Sequence, residues 1–329
     1  MDAEPLSPTV PTRRRRLVRA VLGAAAVVAL AACGVRIDTP PPSEPSPDTH
    51  EILRSTVVAD ALDVERLATS AAEGTDDADV SAALLQAAAF AQAHAQQLGG
   101  TYESGLADAA VTPEATTSPD DEAARVTDVV EALAGASVRA RGAADTTNDG
   151  PLARLLASIS TSDILAAEQL GDLTGAELPE TVVPTTAVVP ETLPSGVSAA
   201  DLTTLVEAED AAGYVYEVQA ARTADAGRER SADRAPIHRD RADDWARLLE
   251  IDSTAQDPRS TAYVMPEAES VAARGQLLEN NLAASYASLV GTSGPSGRTE
   301  LVDLLADSSR SAVSWGAPLT AFPGLPEQE

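Results

Sequence analysis

The stretch DVSAALLQAAAFAQAHAQQLGG, Asp79 to Gly100, decides how the rest of the chain is read. Val80, Leu84, Ala87, Ala88, Ala91 and Ala95 recur at helical spacing, which stacks their side chains on one face of an α-helix. Gly99-Gly100 ends the pattern, as expected of residues that enter the left-handed backbone region freely. The spacing predicts a helix over Asp79 to Leu98, with His94 near its end.

The same pattern spreads in both directions. Upstream, Glu51 to Ala72 carries Ile52, Val57, Val58, Ala61, Val64 and Ala68 at helical spacing. Downstream, Asp121 to Arg141 places its acids early and its arginines late, as the helix dipole favours. Pro151 to Leu170 is a fourth helix, with proline near its first turn. Gly175 to Gly196 then breaks the pattern with Pro179, Pro184, Pro190 and Pro194, and reads as a linker that neither continues a helix nor pairs well in a sheet. Its Val182-Val183 and Val188-Val189 pairs are expected to pack along a domain surface. Four more helices follow, over Ala199 to Arg228, Pro236 to Leu249, Glu267 to Val290 and Arg298 to Trp315. Alternation of strand period is missing throughout, so the fold class is all-α.

The halves echo each other. ARLLASISTS at Ala153 to Ser162 aligns with VDLLADSSRS at Val302 to Ser311, and VVEALAGAS at Val129 to Ser137 aligns with LLENNLAAS at Leu277 to Ser285. An internal duplication at a spacing of about 150 residues is the expectation, against the plainer view that any two alanine-rich helical bundles look alike.

The chain opens differently. Arg13 to Arg16 and Arg19 form a basic cluster, followed by the unbroken apolar run AVLGAAAVVALAA from Ala20 to Ala32. A spanning helix needs roughly 20 apolar residues, so this run has instead the layout of an export signal. Leu30-Ala31-Ala32-Cys33, followed by Gly34, resembles a bacterial lipobox, and Cys33 is the sole cysteine. The lipoprotein resemblance implies that residues 1–32 are removed and that the Cys33 thiolate takes a diacylglyceryl group, with further fatty acylation such as palmitate. Arg14-Arg15-Arg16-Leu17-Val18 loosely resembles a twin-arginine signal, and general secretion and that route both stay open. Residues 38–48, DTPPPSEPSPD, make an extended proline-rich tether.

With Cys33 acylated, the folded part has no thiol for a disulfide, a zinc site or nucleophilic catalysis. The net charge is −28, and removing residues 1–32 takes away five arginines and two acids, leaving about −31. Such a balance argues against a nucleic-acid partner and against an electrostatic grip on anionic lipid. Lysine does not occur; every basic residue apart from the three histidines is arginine.

The second half resembles a ferritin-like domain of unknown function from actinobacterial lipoproteins. The carrying stretches are EAEDAAGYVYEV (207–218), HRDRADD (238–244), AYVMPE (262–267), LLENNLAASYASLV (277–290) and WGAPLTAFPGLPE (315–327). The resemblance implies an up-down four-helix bundle and brings no established activity. The resulting domain plan is a signal peptide (1–32), a lipidated cysteine and tether (33–48), an N-terminal four-helix bundle (49–174), a Pro/Val-rich linker (175–197) and a C-terminal ferritin-like bundle (198–329).

Di-iron bundles use Glu-x-x-His pairs on inward faces. Here Pro47, Ala91 and Ala235 stand three residues before His50, His94 and His238, so that constellation is missing. Glu209, His238, Glu279 and Asp307 nonetheless fall on or beside the apolar stripes of the four C-terminal helices. They are the candidate site: ligands for Fe, Mn or Zn on one reading, a buried polar network on the other, which is preferred because buried polar groups need partners with or without a metal. The arginines from Arg228 to Arg247 read as a salt-bridged, solvated face, with Arg239 and Asp243 paired at i,i+4. Tyr214, Tyr216, Trp245, Tyr286 and Trp315 read as core. A nucleophile elbow and a glycine-rich phosphate loop are both lacking.

The expected role is that of a non-enzymatic envelope binding or scaffolding module. A lipid on Cys33 would hold it on the outer leaflet of the cytoplasmic membrane, with an envelope protein as partner and no cofactor. The alternatives are a metal-dependent oxidase or storage protein of ferritin-like type, and a small-ligand or lipid carrier using a groove lined by the valines of 175–196.

Overall fold

Eight α-helices account for the regular structure of the described residues of a computed structural model, which are 46–102, 123–179, 184 and 187–326. They are α1 (Thr49–Glu73), α2 (Ala78–Gln97), α3 (Val126–Thr146), α4 (Gly150–Thr174), α5 (Ala199–Arg222), α6 (Asp225–Leu248), α7 (Val271–Thr292) and α8 (Thr299–Ser314). Among the described residues there is no strand, and no helix is long and apolar enough to cross a membrane. The signal peptide, Cys33, most of the tether and Val182-Val183 lie outside the described residues.

Local chemistry sets the helix starts. Asp48, Asp77 and Asp149 each accept a first-turn backbone N–H at the heads of α1, α2 and α4, and Ser198 and Ser270 do so for α5 and α7. Pro151 sits in the first turn of α4, and Gly175 ends that helix in the left-handed region at φ 73°.

Several boundaries differ from the sequence expectation. Helix α5 ends at Arg222 rather than Arg228, because residues 225–228 already belong to α6. Helix α3 begins at Val126 rather than Asp121, because the Asp128 carboxylate turns back to accept the Arg125 backbone N–H at 3.1 Å. Helix α7 begins at Val271 rather than Glu267, at the Ser270 cap. Helix α6 starts eleven residues before Pro236 and runs through it. A proline removes one backbone donor, here the one facing the Ala232 carbonyl, and the packed helix tolerates that loss.

The helices pair as antiparallel hairpins, α1 with α2, α3 with α4, α5 with α6 and α7 with α8. Helix α1 also packs on α3, α2 on α4, and α5 on α7. The segment 175–197 does not separate two cores: α4 packs on α7 and α8 as well, and one apolar cluster runs from Val57 and Leu156 to Trp245, Tyr286 and Leu325. Every residue of α4 from Leu156 to Ala167 is buried, so this helix is surrounded on all sides.

Small and polar side chains make that central position possible. Gly150 lies so close to Gly291 of α7 that an added Cβ would stand 2.1 Å from the Gly291 carbonyl oxygen. Ser137 and Ser160 each donate to the other's backbone carbonyl, at 2.7 and 2.8 Å. Arg141 grips Asp303 through two bonds of 2.7 and 2.6 Å, and Arg310 pairs with Glu168.

At the end of the bundle, buried Arg298 donates to the Ala144 and Thr147 carbonyls that close α3, and to the Val290 and Ser293 carbonyls that close α7. A single guanidinium thereby satisfies the orphan acceptors of two helix C-termini, where positive charge is also favoured by the dipole.

After α8 the chain returns as a strap, residues 315–326, laid across α4 and α2. Its carbonyls accept from the first half: Thr320 from Ser162, Ala321 from His94, and Pro323 from Ser158. Its own Phe322 and Leu325 are buried.

Candidate functional site

The stripe of each C-terminal helix carries at least one acid or base inward. Helix α5 buries Leu205, Ala212 and Tyr216 and, between them, Glu209. Helix α6 places Arg234, His238, Arg241 and Trp245 on one face, at offsets of four, seven and eleven residues, and all four are buried. Helix α7 contributes Glu279 and, two turns on, Tyr286; helix α8 contributes Asp307 and Ser311.

The structure brings the four sequence-predicted residues into one connected group. His238 Nδ1 stands 2.5 Å from Glu209 Oε2, and its Nε2 stands 3.2 Å from Glu279 Oε1. Glu279 receives Arg234 in a two-pronged contact, Nε to Oε1 at 2.8 Å and Nη2 to Oε2 at 2.9 Å. The hydroxyls of Tyr216 and Ser311 also donate to Glu279 Oε1, at 2.9 and 2.8 Å. Tyr286 donates its hydroxyl to Glu209. Asp307 does not touch His238; it joins through Arg234 and Arg241, at 2.8 and 2.6 Å.

Burial and charge oppose each other here, and charge wins. Burial disfavours the ionised form of each acid, yet the charges of His238 and Arg234 hold Glu279 far below the usual carboxylate range. Glu209 is likewise lowered, its burial penalty outweighed by His238 and Arg241. For Asp307 the two arginines overcome burial. Burial would lower His238, but Glu279 and Glu209 lift it above its ordinary value of 6.5. Burial, reinforced by the adjacent carboxylates, raises Tyr216 and Tyr286, so both keep their protons. Three carboxylates thus face two guanidiniums and one imidazolium, and the group is neutral overall.

An aromatic stack seals one side. Tyr216 lies parallel to His238, with centroids 5.5 Å apart, and to Trp315, 5.9 Å away. Arg230 covers the outer face of Trp315 at 4.8 Å. Gly275 makes room for this, since a Cβ there would meet the Trp315 ring at 2.5 Å.

This donor set does not suit a metal ion. Both nitrogens of His238 already face carboxylates, and Glu279 is committed to a guanidinium that would repel a cation. Among the described residues, no group of three His, Cys, Asp or Glu side chains has the geometry to hold a metal. What the arrangement does chemically is fix four helices in register through charge-assisted bonds.

Some residues were missed or misplaced by the sequence reading. Arg234 and Arg241 were read as a solvated face and are instead buried partners of the acids. Arg239 does not pair with Asp243: it reaches across to Asp210 and Glu217 of α5, while Asp243 meets Arg259. The signal was available, because Arg234, His238, Arg241 and Trp245 share the stripe spacing.

The other histidines sit elsewhere. His50 is at the surface, 3.3 Å from Asp149. Buried His94 donates through Nε2 to the Ala321 carbonyl at 2.8 Å, so Nδ1 carries the lone pair. Burial lowers His94 to about 4 and raises Asp163, whose carboxyl lies 3.5 Å from that Nδ1. Burial thus disfavours charge on both members, and the Nε2 bond ties α2 to the strap.

No curated protein and no solved structure matches the chain. Residues 201–327 match the family model described as a domain of unknown function (DUF4439), so the second half, from α5 to the strap, carries a domain of that kind.

Proposed function

We propose that the chain is an exported lipoprotein of the actinobacterial type, anchored through Cys33 to the outer leaflet of the cytoplasmic membrane and acting there as a non-enzymatic binding or scaffolding module. The observation that carries the non-enzymatic reading is the sealed ion network: Glu209, His238 and Glu279 are fully buried and bonded to one another, to two tyrosines and to arginine. Catalytic groups must reach substrate, whereas a saturated buried network specifies a fold. The hairpin helices support two tandem ferritin-like up-down bundles, fused along α4. The apolar run ending in Leu30-Ala31-Ala32-Cys33 supports the anchor.

The test is fractionation and intact-mass measurement of the full chain expressed in a lipoprotein-processing bacterium. The expected result is a membrane-bound product beginning at Cys33 and carrying acyl mass, with Cys33→Ala accumulating as uncut precursor. A Cys33→Ala protein that is still cut at residue 33 and held on the membrane would refute the anchor.

A further inference from the structure

We propose that the cavity between the strap and helices α7 and α8 binds an uncharged small molecule with an apolar body and hydrogen-bonding ends, of which a short-chain primary amide is the minimal form. This goes beyond the envelope role above and does not rest on it.

The cavity measures about 340 Å³, the lower end of the range of roughly 300–1,000 Å³ common for small-molecule sites. Leu165 of α4, Ala312 and Val313 of α8, and Leu319 and Pro323 of the strap give it apolar walls. One lining group is out of keeping. Ser309 is only 5% exposed, and its hydroxyl has no hydrogen-bond partner among the described residues. On the neighbouring helix α4 the buried hydroxyls of Ser158, Ser160 and Ser162 each donate to a carbonyl. Buried hydroxyls seldom stay unpaired, so the oxygen of Ser309 calls for a ligand atom that donates or accepts a proton there. Ser308 is likewise unpaired among the described residues, but does not line the cavity.

The lining also offers carboxamides. Asn280 and Asn281 of α7 line the cavity from exposed positions, and carboxamides both donate and accept. None of the described lining residues is charged, in a chain of which 22% is charged. An ionic ligand would find no counter-charge, and the net charge of −28 adds a field against anions. The strap holds the cavity open before any ligand arrives, because its carbonyls are pinned by His94, Ser158 and Ser162.

The experiment is saturation-transfer NMR and titration on the full chain with hexanamide, hexanoate and hexylamine. Saturable binding of hexanamide is expected, with the two ions at least about tenfold weaker. Ser309→Ala should weaken hexanamide roughly two- to tenfold, the worth of one neutral hydrogen bond. Ala284→Phe, which fills the cavity from a partly exposed position on α7, should abolish it. Absence of saturable hexanamide binding overturns the proposal. So does hexanoate or hexylamine binding as tightly as hexanamide, or an affinity untouched by Ser309→Ala. Where Ala284→Phe retains the helical circular dichroism of the parent, unchanged binding also overturns it.

Discussion

Arg234 and Glu279 meet edge to edge inside the helical bundle, joined by two nearly equal bonds of 2.8 and 2.9 Å in a place water hardly reaches. Removing one member takes the two-pronged partner from a buried charge, leaving Glu279 with His238 alone or Arg234 with Asp307 alone to balance it. Arg234→Ala and Glu279→Ala should each cost about 3–5 kcal/mol. The double variant should cost less than the sum, because it leaves neither charge alone. Urea unfolding of the four proteins in the cycle measures this.

The acid and base limbs of stability should have separate owners. Glu209 and Glu279 are held below their ordinary value of 4.5, so what they contribute is present above about 4.5 and lost as pH falls through their folded values. His238 is held above 6.5, so its contribution is complete below 6.5 and lost as pH rises through its folded value. His94 runs the other way. Its folded value near 4 lies below the ordinary 6.5, so its stability is present above 6.5 and drains away as pH falls toward 4. The stability difference between the protein and His94→Gln should therefore shrink by about 3 kcal/mol from pH 6.5 to pH 4. Denaturant titrations at half-unit pH steps give both profiles.

Two glycine substitutions should have opposite signs, one at the crossing of α4 and α7 and one on the open face of α3. Gly150→Ala drives a methyl group into the Gly291 carbonyl and should destabilise by about 1–3 kcal/mol or more. Gly142→Ala, exposed in α3 with nothing within 4 Å of the new carbon, should stabilise by about 0.5–1 kcal/mol. Thermal unfolding of both variants under one set of conditions decides the signs.

The strap should matter to the first half as much as to the second. Phe322→Ala empties a buried position beside His94, whose ring meets Phe322 edge-on at 5.4 Å, and should cost about 3–5 kcal/mol. Limited proteolysis should then cut first within residues 316–326.

The helices were legible because alanine, leucine and valine recur at helical spacing, and because Gly99-Gly100 and Pro151 punctuate the pattern. Stripe reasoning also found Glu209, His238, Glu279 and Asp307. It failed at Arg234 and Arg241, since a basic residue on a charge-rich helix is ordinarily solvated, and only their spacing from Trp245 gave them away. Pro236 misled for a related reason: its local preference for a first turn was overridden by tertiary packing. The central place of α4 was hidden because its contacts to α7, α8 and the strap pair residues far apart in the chain, and because serine and glycine stand among its apolar residues. The sign was the stretch Leu156–Ala167, whose only charge is Asp163.

Arg298 has a kinetic corollary. Its guanidinium closes two turns at once, and the backbone of Asp145 and Ser296 is tied across the same gap at 2.8 Å. Neither turn opens without releasing the other, so the amides of 143–149 and 290–298 should exchange with deuterium as one cooperative unit.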